Sequence, residues 1–313
     1  MPIEQAEVHL MGTIIELQVE AESTREILTE AVRRLRVYEH RFSANDPSSE
    51  LGAINRDAGL RAVAVHSELF ELIALGVEHS LPADSMLDIA IGPLVQLWRI
   101  GFADARVPTP SEISEALARI DPSKIDLDEG KGQVFLRQPG MKLDLGAIAK
   151  GYIADRLVDY FREQEVTSAF INLGGNVLTY GHSPRQDDGR WRIGLRHPQH
   201  PDDQLAGYLS VAQQSVVTSG VYRRTLNRNG RSFHHILDPA TGYPIETNVA
   251  SLTIVSPQSV DGEIWTSRLF GRPAPDILAA IGAEPGLAAV VITDGLRVYA
   301  SGDLGDQLVV GTT

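Results

Sequence analysis

Four groups of residues in this chain have the types and spacing that chemistry requires. His234-His235 stands directly ahead of Ile236-Leu237-Asp238-Pro239-Ala240-Thr241-Gly242, where Asp-Pro and Thr-Gly mark a turn. A histidine held by a rigid turn suits general-base work, because its ordinary pKa of about 6.5 lies near neutrality. It also suits a structural bond to backbone, and the sequence leaves open which of the two rings matters. Glu263 and Ser267 are four apart on an expected helix and so share a face. A carboxylate and a hydroxyl there are hard oxygen ligands that suit Mg²⁺, although such pairs are also common on plain helix surfaces. Asp88 lies between Leu87 and Ile89, and Asp144 between Leu143 and Leu145. A carboxylate among apolar neighbours carries a desolvation cost unless charge or hydrogen bonds compensate. Each is therefore a cap bonded to backbone or a site residue.

The elements that must position these groups are legible from periodicity. His9 to Val19 reads as a strand. Ser23 to Tyr38 reads as a helix through Ile27, Ala31, Leu35 and Tyr38, with Ser23 and Glu26 spaced for a capping box. The stretch 42–50 is a loop, and Ser67 to His79 a second helix. Gly92-Pro93 predicts a helix start near Pro93, since proline favours the first turn. A short helix over Ser111 to Ile120 opens on a Ser-x-x-Ser cap. Strands are expected at 133–137 and 142–145, a helix over Ile148 to Phe161, and a strand over Ser168 to Leu173 that ends in Gly174-Gly175. From Trp191 onward short strands dominate, at 192–195, 207–211, 216–218 and 251–255. Helices follow at 263–270 and 276–281, then a hairpin around Asp294-Gly295. Helices and strands mix without steady alternation, which points to an α+β fold rather than a doubly wound sheet. No repeat or linker interrupts the chain, so residues 1–313 are expected to form one integrated domain.

Composition narrows the function classes. The chain has 313 residues, 43% hydrophobic and 22% charged, enough for a sizeable core. A net charge of −13 argues against a nucleic-acid partner, which needs clustered Lys and Arg. The absence of cysteine removes disulfides, thiolate metal sites and cysteine nucleophiles. No run approaches the ~20 apolar residues of a spanning helix, and Met1 to Gln5 has no basic region typical of a signal peptide. The expectation is a cytoplasmic protein with no membrane segment, or a periplasmic one if a leader precedes these residues. Gly146 to Gly151 lacks the Lys-Ser/Thr of a phosphate loop, and no G-x-G-x-x-G follows a strand.

Taken in order, these segments resemble the FAD:protein FMN transferase (ApbE) family, from Met11 to about Gly271. The resemblance is carried by Met11-Gly12-Thr13, by Phe42-Ser43 through Ser49-Glu50-Leu51 and Ile54-Asn55, and by the long run from Leu87 to Trp98. It continues through Leu143 to Tyr152, Asn172-Leu173-Gly174-Gly175-Asn176, Thr218-Ser219-Gly220 with Tyr222-Arg223, and His235 to Gly242. The likeness implies mixed antiparallel sheets and helices with a T-fold-related core. It implies FAD as substrate, held by Met11, Met86, Leu87, Asp88, Asp144, Lys150 and the backbone near Leu237. It implies Mg²⁺ held by the Ala147 carbonyl and the side chains of Glu263 and Ser267. His235 would activate a Thr or Ser hydroxyl of an acceptor flavoprotein.

The family usually shows Asp, then Thr four residues on, where this chain has Glu263 and Ser267. Asp261 is the alternative ligand if the helix register differs, and Arg268 stands where a small residue is usual. The reaction so implied is phosphoryl transfer: FMN becomes esterified to protein and AMP leaves. The alternatives are hydrolysis of FAD to FMN and AMP, and FAD binding without catalysis.

Overall fold

The computed structural model describes residues 1–228 and 230–311. Within these residues, eight strands form one antiparallel sheet whose spatial order follows chain order. They are Ile3–Leu10, Thr13–Glu20, Ser168–Leu173, Asn176–Gly181, Ser215–Gly220, Val249–Ser256, Ala288–Thr293 and Val298–Ala300. Among the described residues eight helices accompany them: α1 (Thr24–Arg41), α2 (Glu50–Arg56), α3 (Ser67–Ser80), α4 (Gly92–Trp98), α5 (Pro110–Leu117), α6 (Ala149–Glu163), α7 (Ser259–Leu269) and α8 (Ala274–Gly282). The fold is α+β, as the mixed pattern of elements predicts.

The period of two in a strand decides how the sheet is covered. Along Ala288–Thr293, Val290 and Ile292 join one apolar cluster while Ala289 and Val291 join another. The first cluster lies under a three-stranded sheet that includes Trp191–His197 and His200–Val211. The second lies under α7 and α8. Val249–Ser256 is buried at every position because it too is covered on both faces. The largest core gathers α1, α3 and α6 against Ile15, Leu17, Ala169 and Ile171 of the sheet. A smaller one joins α4 and α5 to Leu226 and Leu237. Among the described residues, no helix is long and apolar enough to cross a membrane.

Several expected elements differ. The single strand from His9 to Val19 is a hairpin, because Met11 and Gly12 take φ of +53° and +68° and turn Leu10 back onto Thr13. Ser23 precedes α1 but makes no side-chain cap. At α5 the cap is Thr109 rather than Ser111, with Glu112 closing the box; Pro110 at the first helical position leaves Thr109 as the last extended residue. Lys142 to Leu145 is not a strand. Lys142 makes a lone parallel bridge to Ile91, and the backbone of Leu143 is bonded instead to the Asn55 side chain. Helix α2 and the hairpin of Thr225–Arg228 with Arg231–His234 have no counterpart in the sequence reading.

Candidate active site

The site is assembled around the irregular segments 87–92 and 142–148. They run side by side: Gly92 N–H donates to the Lys142 carbonyl (3.1 Å) and Asp144 N–H to the Ile89 carbonyl (2.9 Å). A Cβ on Gly92 would lie 2.5 Å from the Lys142 carbonyl oxygen, so this approach needs glycine. Asn55 pins the second segment twice, donating to the Leu143 carbonyl (3.0 Å) and accepting its N–H (2.6 Å).

Asp88 and Asp144 share one geometry. Asp88 Oδ1 accepts the N–H of Ala90 (2.7 Å), and Asp144 Oδ1 that of Gly146 (2.8 Å). Each carboxylate thus stabilises its own turn with one oxygen, so the capping role left open by the sequence is real in both cases. Burial pushes Asp88 up to about 6, and Asp121 adds to the shift. Burial also raises Asp144, against the opposing pull of the Arg224 charge. Asp88 therefore faces a like charge, while Asp144 faces a cation.

The histidine pair resolves by hydrogen bonding. His234 Nε2 meets the Ile245 carbonyl (2.9 Å), and its Nδ1 accepts the N–H of Ile236 (3.3 Å). Both of its ring nitrogens are engaged in holding the turn. His235 Nδ1 is buried and has no hydrogen-bond partner among the described residues. Burial, then Arg224, His234 and Lys150, push His235 down to about 4, so the ring is neutral at pH 7. The turn that carries it is rigid. Gly242 N–H bonds the Asp238 carbonyl (2.8 Å), Ala240 N–H bonds Asp238 Oδ1 (2.8 Å), and Trp98 Nε1 reaches the Gly242 carbonyl (2.8 Å). Trp98 and Gly242, at the ends of two separate motifs, are thereby one contact. Leu237 is buried in the same cluster as Trp98.

Helices α6 and α7 bring the third group together. Lys150 Nζ lies 3.1 Å from Glu263 Oε1, and Gly151 N–H donates to Glu263 Oε2 (2.9 Å). Gly151 lies in the first turn of α6, whose N–H groups have no partner within the helix, so Glu263 satisfies one of them from α7. The Ala147 carbonyl, a carboxylate and the Ser267 hydroxyl make a donor set that fits a hard divalent cation. At about 100° per residue, Glu263 and Ser267 are about 40° apart around α7, whereas Asp261 is about 120° or more from both. Asp261 instead faces His79, whose charge opposes the upward push of burial on its carboxyl. Arg268 shares that opposite face: its guanidinium lies over the Trp265 ring (4.5 Å) and its Nη1 is 3.4 Å from His79 Nδ1. The charge that looked misplaced in the sequence thus points away from Glu263. The Arg268 carbonyl accepts the N–H of Met86 (3.1 Å), which ties Met86 to the end of α7.

Three contributors escape sequence reasoning. Asp155 accepts the N–H groups of Ser259 (2.8 Å) and Val260 (2.9 Å), capping α7 from α6, and burial pushes it up to about 7. Asn176, one residue of a glycine motif, accepts from the Ser259 hydroxyl (2.7 Å). Arg224, next to the quoted Tyr222-Arg223, extends over Gly12, adjoining Met11. Its signal was weak: one more exposed arginine in a loop.

The model of the ApbE family matches residues 11–291. The FAD:protein FMN transferase of Klebsiella pneumoniae (strain 342) is 43% identical over 93% of this chain and 90% of its own length. That of Treponema pallidum (strain Nichols) is 35% identical over 96% and 87%. The crystal structure of the ApbE protein of Thermotoga maritima superposes with a TM-score of 0.89 at 26% identity, covering 98% of this chain and 99% of that one. The apo form of the Pseudomonas stutzeri flavinyl transferase ApbE shares the fold, with a TM-score of 0.84 at 23% identity over 99% and 98%. With a match across most of its length and relatives at these identities, the chain belongs to the ApbE family.

Proposed function

We propose that this chain is an FAD:protein FMN transferase, which moves the FMN half of FAD onto a serine or threonine hydroxyl of an acceptor protein and releases AMP. The observation that carries the reading is the buried, unpartnered Nδ1 of His235, on a neutral ring within the field of Arg224 and Lys150. A neutral imidazole beside cations accepts a hydroxyl proton where phosphate is held. The relatives named as FAD:protein FMN transferases support the substrate and the reaction class.

In this reading Met11, Met86, Leu87, Asp88, Asp144, Lys150 and the backbone at Leu237 hold FAD. The Ala147 carbonyl, Glu263 and Ser267 hold a magnesium ion, which when bound neutralises charge on the phosphate oxygens. His235 removes the acceptor proton, and Trp98 keeps the turn that carries His235 in place. The chain acts as one domain over residues 1–313.

The test is mass spectrometry of candidate acceptor proteins after incubation with this protein, FAD and Mg²⁺. Addition of one FMN to a serine or threonine is expected. Rapid release of FMN and AMP with no acceptor present would replace transfer by hydrolysis. FAD that stays intact at every metal concentration would leave only binding.

A further inference from the structure

Many arginines of this acidic chain lie against a carboxylate; Arg41, Arg106, Arg137 and Arg192 are examples. Among the described residues the guanidinium of Arg224 meets neither a carboxylate nor any other hydrogen-bond acceptor, and the side chain, although exposed, lies along the backbone of two glycines. Its Nη2 lies 3.8 Å from where a Cβ on Gly12 would stand, and its Cδ 3.1 Å from the corresponding point on Gly101. Both glycines have positive φ, +68° and +96°, so the backbone bends away and leaves a shelf for the side chain. From that shelf its charge bears on Asp144 and on His235. The Arg224 carbonyl also accepts the His235 N–H (3.2 Å), which couples the guanidinium to the base through one stretch of backbone. The other nearby cation, Lys150, is already paired with Glu263. An arginine left without an anion at such a place, in a chain of net charge −13, awaits one from a ligand.

We propose that Arg224 is a further catalytic residue, its guanidinium contacting the FAD phosphate that is transferred; this rests on the transferase reading above. In the step, the acceptor oxygen bonds to the phosphorus on the FMN side. The bond from that phosphorus to the bridging oxygen breaks, and its electron pair leaves on that oxygen as AMP. The hydroxyl proton passes to His235. Negative charge spreads over the phosphate oxygens as this happens, and a planar fork of donors engages two of them together. Lysine, a single point charge, replaces that function only in part.

The experiment compares wild type with Arg224→Ala and Arg224→Lys. Affinities for FAD and for riboflavin, which has no phosphate, are read by flavin fluorescence. Transfer to an acceptor protein is read at saturating FAD and Mg²⁺. The alanine variant should melt at the wild-type temperature, lose at least tenfold in FAD affinity and keep its riboflavin affinity. It should lose about 10²–10³ in kcat, the usual cost of one charge-stabilising donor. The lysine variant should fall between the two, and added guanidinium chloride should partly restore transfer in the alanine variant only. Equal loss of FAD and riboflavin binding, or wild-type FAD affinity with wild-type kcat, would overturn the proposal. If wild type transfers no FMN, the transferase reading fails, while the FAD and riboflavin affinities still decide whether Arg224 meets phosphate.

Discussion

The ammonium of Lys150 sits 3.1 Å from one oxygen of the Glu263 carboxylate, while the N–H of the next residue, Gly151, sits 2.9 Å from the other. Glu263 is 3% exposed, so this is a buried anion held by two donors from a single turn of α6. Glu263→Ala strands the ammonium and the N–H together. It should cost about 2–3 kcal/mol, below the usual figure for a broken buried pair because Lys150 is partly solvated. Glu263→Gln keeps an acceptor for Gly151 and should cost less. Urea unfolding curves with unchanged slope check the ranking; an alanine variant as stable as wild type would deny the pairing.

A second consequence concerns His235. Its folded pKa, about 4, is below its ordinary 6.5, so the fold favours the neutral ring. The sign follows: this contribution to stability is complete above pH 6.5 and is lost as pH falls toward 4. The charges of Arg224, His234 and Lys150 push in that direction, while the Arg224 backbone, through a hydrogen bond, pulls the other way. NMR titration of the FAD-free protein should find His235 still neutral at pH 5.5; protonation near pH 6.5 would show that the ring is solvated. His235→Ala should reduce transfer by about 10²–10⁴, the usual range for a general base.

Gly151 offers a test of helix packing. In most helix interiors, alanine in place of glycine adds stability, by about 1 kcal/mol. Here the added Cβ would meet the Ser259 carbonyl oxygen at 2.5 Å and force α6 from α7. Gly151→Ala should therefore destabilise, by about 1–3 kcal/mol, and should weaken FAD binding by moving Lys150. A higher melting temperature would refute the close approach.

Asn55 satisfies both backbone groups of Leu143 from a separate helix, α2. Asn55→Ala leaves a donor and an acceptor unpaired beside Asp144. About 2–4 kcal/mol should be lost on that account, and the amide of Leu143 should exchange its hydrogen much faster. Asn55→Asp retains the acceptor for the Leu143 N–H but sets a carboxylate against a carbonyl, so it should rescue little.

Much of this molecule was readable before folding. The periodicities of α1, α3 and α6 are local properties of side-chain spacing, and the α+β mixture follows from the order of elements. The motif residues in chain order pointed to the family, and two of the groups that they marked, Asp144 and His235, share the influence of Arg224. Single turns were less legible. The hairpin at Met11-Gly12 depends on two residues adopting positive φ, which apolar alternation does not reveal.

What sequence alone determined was the inventory: which acids, bases and hydroxyls exist, and which neighbours on a helix share a face. Only tertiary structure decided the partnerships. His234 and His235 are chemically identical, and the Ile245 carbonyl separates the structural ring from the unpartnered one. Asp261 and Glu263 are both acidic residues of α7, and the packing of α6 selects Glu263 for Lys150, 113 positions earlier in the chain. The physical reason is that charge and hydrogen bonding act through space over a few ångströms. The distances that count arise only when Gly151 lets two remote helices touch.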